Sequence, residues 1–123
     1  MKTTTVETSQ LSGAALDWAV AKAVPQKHCL VIIGGEVHLD TGYPYTSYSP
    51  TTDWDCCGPL IEDLVVDMGE DSSNEDEPFY AETRMCAAET GETYLIAVCR
   101  AIAFGKFGSE VEVPAELVEA EGI

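Results

Sequence analysis

Residues 29–40 read CLVIIGGEVHLD, and this stretch decides the fold class. Cys29 to Ile33 is a short aliphatic, largely β-branched run, the kind of segment that suits a pleated strand. Gly34-Gly35 can adopt the backbone angles of a tight turn without steric cost. Beyond the turn, Val37 and Leu39 alternate with Glu36, His38 and Asp40, the period-two pattern of a strand with one buried face. Two such runs separated by two glycines predict a β-hairpin.

Toward the N-terminus, Leu16, Val20 and Ala23 recur at i, i+4 and i+7, and Ala15, Trp18 and Ala19 widen the stripe. That spacing predicts a helix capped by Ser12 and running to Val24, with Pro25 ending it. Residues 1–10, MKTTTVETSQ, are polar and threonine-rich, and are expected to form a loosely tied, flexible arm. Toward the C-terminus, residues 41–58 read as a long loop, and Gly58-Pro59 is expected to open a helical turn with Pro59 at its first position. Leu64 to Val66 and Phe79 to Ala87 read as strands around an acidic loop at 67–77. A second helix is expected from a Thr90 cap to Phe107, with Gly108 just past its end. Its apolar face would hold Leu95, Ile96, Cys99, Ile102, Ala103 and Phe107. An extended Ser109–Val113 segment, Pro114 and a short acidic turn follow. Helices and hairpins without strict alternation predict one α+β domain, a small antiparallel sheet with two main helices packed on one face.

The bulk numbers agree with a globular chain: 123 residues, 46% apolar and 23% charged. No apolar run approaches the roughly 20 residues of a membrane helix, and the N-terminal stretch has no apolar signal core, so a cytoplasmic protein is expected. Five cysteines, an odd number without a CxxC pair, are expected to be reduced thiols, several of them in the core.

Twenty-two acids against six bases give a net charge of −16. The excess is local. Six acids and three bases precede Glu62, whereas sixteen acids and three bases lie from Glu62 onward. This balance disfavours nucleic acid and anionic membranes, whose binding draws on lysine and arginine. It favours basic partners or simple solubility.

Few residues carry recognisable chemistry. His28, Cys29, His38 and Cys56 are metal-ligand types without zinc spacing, and 67–77 lacks the order of a calcium loop. There is no nucleophile elbow, P-loop or dinucleotide-binding glycine motif. No cofactor and no catalytic residue are assigned, and a non-enzymatic protein is expected.

The loop from Tyr43 to Pro59 is the more informative feature. Tyr45, Tyr48 and Trp54, with Trp18 from the first helix, offer flat faces for stacking, while Ser49, Thr51, Thr52 and Asp53 offer close-set hydrogen-bonding groups. Gly58 would present a backbone N–H at a helix start, and Lys22 or Arg100 would meet an anion. Such a mixture suits a small-molecule pocket. The competing reading is an Ω-loop whose aromatics pack on the sheet and whose Asp53 caps the following turn. Lys22 and Arg100 would then sit in ordinary ion pairs.

Three segments, LSGAALDWAVAKA (11–23), YSPTTDWDCCGPLIE (48–62) and ETYLIAVCRAIAFGKFGSEVEVPAEL (92–117), resemble blocks of the NinX-like family of phage proteins. The resemblance implies a phage or prophage accessory gene expressed in the cytoplasm of a bacterial host. It brings no established activity with it. Cys56-Cys57 stand where that family carries small or polar residues, and the 67–77 acidic run lies outside its pattern.

The expectation is therefore an accessory protein that counters a host defence by sequestering a small anionic or nucleotide-like ligand on the 43–59 loop. Two other readings stay open. An acidic surface of Asp67, Glu70, Asp71, Glu75, Asp76 and Glu77 could mimic nucleic acid toward a basic host protein, in the manner of anti-CRISPR proteins. A structural homo-dimer without ligand is the third.

Overall fold

A computed structural model describes every residue except Met1, Pro25, Tyr43, Met85 and 121–123. Among the described residues the chain forms β1 (Thr3–Glu7), a 3-10 turn (Thr8–Gln10), α1 (Gly13–Ala23), β2 (Leu30–Ile33), β3 (Glu36–Leu39) and β4 (Thr46–Ser47). There follow α2 (Trp54–Leu64), β5 (Val65–Glu70), β6 (Phe79–Thr83), β7 (Cys86–Gly91), α3 (Tyr94–Phe107), β8 (Glu110–Pro114) and α4 (Ala115–Ala120).

The fold is α+β, and all strand pairing is antiparallel. The strands divide into three small sheets, ordered β1-β8, β2-β3-β4 and β5-β6-β7, where one was expected. The Gly34-Gly35 hairpin forms with Ile33 opposite Glu36 and Leu30 opposite Leu39, and both glycines take positive φ.

α3 is the axis of the molecule. Leu95 and the continuous run Ala97–Ala103 are buried, so the helix is enclosed on several sides instead of lying on one face of a sheet. It packs against α1, α2, β6 and β7. Its cap is Thr93, whose hydroxyl accepts from the Ile96 N–H at 3.1 Å. The expected cap, Thr90, belongs instead to β7. At the junction of β7 and α3, a Cβ on Gly91 would lie 2.6 Å from the Ala97 nitrogen, so only glycine lets strand and helix approach this closely. Around the axis, Leu11, Leu16, Val20, Val37, Val113 and Leu117 complete the core.

Three other expectations are corrected. Residues 3–7 of the supposed arm pair in register with 110–114, and the buried Thr8 hydroxyl donates to the Gly108 carbonyl at 2.7 Å. The Thr-rich segment is half of a sheet whose other half lies at the far end of the chain. α2 starts at Trp54 because Asp53 caps it, its carboxylate accepting from the Asp55 N–H at 2.9 Å. Pro59 therefore sits inside the helix. Phe79 to Ala87 contains two strands, β6 and the start of β7, and Leu64 closes α2. Pro25, expected to end the first helix, lies outside the described residues.

Candidate functional site

The chain between β4 and α2 is fixed by a set of local bonds. The Thr52 and Asp53 N–H groups both donate to the Ser49 carbonyl, at 3.1 and 2.9 Å. The Thr51 N–H donates to the Asp17 carboxylate on α1 at 2.9 Å, and this bond is buried. The segment is thus clamped between α1 and the start of α2, with its side chains set by a rigid backbone.

Two grooves meet along Thr51 and Thr52. The first, about 430 Å³, is lined by Trp54, Phe79, Tyr94 and Leu95. Trp54 is 56% exposed. Phe79 and Tyr94 pack ring on ring, centroids 4.4 Å apart at 52°. α2 and α3 both begin here, with the caps Asp53 and Thr93. The second groove, about 190 Å³, lies at the first turn of α1 and is lined by Asp17, Glu36, Tyr48 and Ser49. Burial raises the Tyr48 phenol above its usual range, and the neighbouring Cys99, Cys56, Cys57 and Asp17 add to the effect. Its oxygen lies 3.5 Å from Gln26 Nε2. Thr51 is 4% exposed, and its hydroxyl has no hydrogen-bond partner among the described residues.

The expected site residues divide among several places. Thr51 and Trp54 share the aromatic groove, and Tyr48, Ser49 and Thr51 share the polar one. Asp53 acts as a helix cap. Gly58 lies inside α2, where the helical ladder takes up its N–H. Trp18 and Lys22 line a third groove with Leu30–Ile32 of β2, and the Lys22 ammonium sits 5.5 Å from the Trp18 ring centroid. Arg100 is buried. Its Nε donates to the Leu11 carbonyl at 2.9 Å, and Nη1 donates to Glu77 at 2.5 Å and to the Thr90 carbonyl at 3.0 Å. The guanidinium therefore ties α3 to Leu11, Glu77 and β7, and these bonds occupy it. Tyr43 lies outside the described residues.

The acidic segment is built, not featureless. Asp67 and Glu70 are on β5. Asp71 accepts from the Ser73 hydroxyl at 2.6 Å and from its N–H at 3.0 Å, which holds the Asp71 carboxyl below its usual range. Asp67, Glu70, Asp71, Glu75 and Asp76 are exposed. Glu77 turns inward to Arg100 and the Thr90 hydroxyl, so it drops out of the acidic surface.

Cys29, Cys56, Cys57 and Cys99 are free thiols, and the Cys86 side chain lies outside the described residues. Cys57 and Cys99 are buried where α2 meets α3. Among the described residues no three histidine, cysteine or acidic side chains are grouped to hold a metal ion. No described helix is long and apolar enough to cross a membrane.

Phe79, Tyr94, Asp17 and Glu36 were not among the expected site residues. Phe79 and Tyr94 line the same groove as Trp54 from 25 and 40 positions further along the sequence, a grouping that no local pattern encodes. No curated protein sequence matches the chain. Residues 7–106 match the family described as Bacteriophage P22, NinX.

Proposed function

Because the chain belongs to the phage P22 NinX family, we propose that it is a non-enzymatic phage accessory protein that binds a small flat molecule between Trp54 and the Phe79–Tyr94 pair. Sequestering such a molecule would serve to counter a host defence in the bacterial cytoplasm. One observation carries the reading: Trp54, the most apolar body in its segment, keeps 56% of its surface in water beside an aromatic-walled groove. Flat ligands gain from such walls by stacking, and the lining offers hydroxyls and aromatic faces in place of a general base. A thermal-shift screen with nucleobases, nucleosides and nucleotides tests it. Stabilisation that is lost in Trp54→Ala supports the reading, and no stabilisation by any of them sinks it.

A second reading draws on the five exposed carboxylates gathered at the β5–β6 hairpin, next to Val66, which is 58% exposed. They would serve a basic host protein as a nucleic-acid mimic. Recovery of such a partner from host lysate, with binding that weakens steeply in salt, supports this reading. Binding unchanged when Asp71, Glu75 and Asp76 are neutralised counts against it.

A further inference from the structure

We propose that the polar groove is the second half of the same site, and that the ligand is nucleoside-like: a flat ring joined to a hydroxyl-bearing arm without a phosphate. This rests on the reading of the Trp54 groove as a ligand site. The two grooves share Thr51 and Thr52, so a ring held against Trp54 delivers its substituent over that ridge toward α1.

The Thr51 hydroxyl is the clearest mark. It is buried with no hydrogen-bond partner among the described residues, and a buried polar group in that state is unfavourable until something bonds to it. The backbone that carries it is held to α1, because the Thr51 N–H donates to Asp17.

The surrounding groups select the arm. Ser12 makes no side-chain cap, so the first turn of α1 at Gly13 and Ala14 offers N–H donors to this groove. Glu36 offers a carboxylate acceptor. A hydroxyl can both donate and accept, so it suits this mixture, and its bond to a carboxylate is charge-assisted. A phosphate has no proton to offer Glu36, and the carboxylate charge opposes what the N–H groups of α1 would contribute to holding it. Among the described residues neither groove is lined by lysine or arginine. Arg100 is spent on Glu77, and Lys22 lies in another groove against Trp18.

Titration of the intact protein with adenine, adenosine and adenosine 5′-monophosphate, and with the guanine, cytosine and uracil sets, tests the inference. The Trp54 indole N–H resonance serves as the probe. In at least one set the nucleoside should bind about tenfold tighter than its base, and the monophosphate no tighter than the nucleoside. Thr51→Val and Glu36→Ala should each erase the advantage of the nucleoside, and Glu36→Ala should leave base binding unchanged. Glu36 is exposed, so Glu36→Ala carries the test even if Thr51→Val fails to fold. Equal binding of base and nucleoside, a tighter monophosphate, or an advantage that survives Glu36→Ala overturns the inference and leaves the Trp54 groove standing as a site. No response to any base overturns both.

Discussion

The Thr51 N–H and the Asp17 carboxylate, 34 residues apart in sequence, are joined by a buried hydrogen bond of 2.9 Å. It anchors the ridge between the two grooves to the first helix. Asp17→Ala leaves that N–H buried without its acceptor and should cost about 1–3 kcal/mol of unfolding free energy. Asp17→Asn, which keeps an acceptor, should cost less. Denaturant unfolding of both variants checks the order, and equal costs would contradict the role given to this bond.

Arg100 and Glu77 form the second such tie. Burial alone would raise the Glu77 carboxyl, but the hydrogen bonds from Arg100 and Thr90 and the guanidinium charge outweigh it, and the net shift is downward. A carboxylate with a lowered folded pKa contributes stability that is present above its unfolded value and lost as pH falls through the folded one. Glu77→Gln should therefore melt below wild type at neutral pH, with the gap closing on strong acidification. Arg100→Leu should be the more severe change, at about 2–3 kcal/mol, because it also frees the Leu11 and Thr90 carbonyls.

Glu89 should behave in the opposite sense. Burial and the Glu77 charge raise its carboxyl against the pull of Arg100, and one of its oxygens is buried without a partner among the described residues. An acid with a raised folded pKa weakens the fold above that value and ceases to do so once protonated. Glu89→Gln should raise the melting temperature at neutral pH, and the advantage should vanish in acid. A variant less stable than wild type at neutral pH contradicts this sign.

Gly91→Ala should be destabilising by about 1–3 kcal/mol. The added methyl would meet the Ala97 nitrogen at 2.6 Å and Ile96 Cγ2 at 2.8 Å, so α3 must shift. Because Tyr94 and Leu95 open that helix and wall the aromatic groove, weaker ligand binding should accompany the lost stability.

How much of this was legible in the sequence depended on range. The Gly34-Gly35 hairpin and α1 are local patterns, and both formed close to where periodicity put them. β1 was not legible, because Thr3–Glu7 offers only Val6 to a core and its partner strand begins at Glu110. Its β-branched threonines were the available signal. The start of α2 was obscured by Pro59, whose preference for a first helical turn outweighed the Asp53 cap in the reading. Trp54 and Thr51 were singled out for stacking and hydrogen bonding, and they do share a groove. The rest of its aromatic lining comes from Phe79 and Tyr94, which only the packing of β6 against α3 brings there. Arg100 follows the ion-pair alternative, but its partner is illegible for a related reason: Glu77 lies in a run whose composition points to an open acidic loop.

The central claim is that Trp54 is exposed to take a ligand and not to support the fold. Trp54→Ala should leave unfolding free energy within about 0.5 kcal/mol of wild type, as expected for an exposed side chain. The most direct measurement is the shift of the Trp54 indole N–H resonance during titration with nucleobases and nucleosides, with the Trp18 indole as internal control. A saturable shift at Trp54, with Trp18 unmoved, is the predicted result. Shifts that are absent, or equal at both tryptophans, would contradict it.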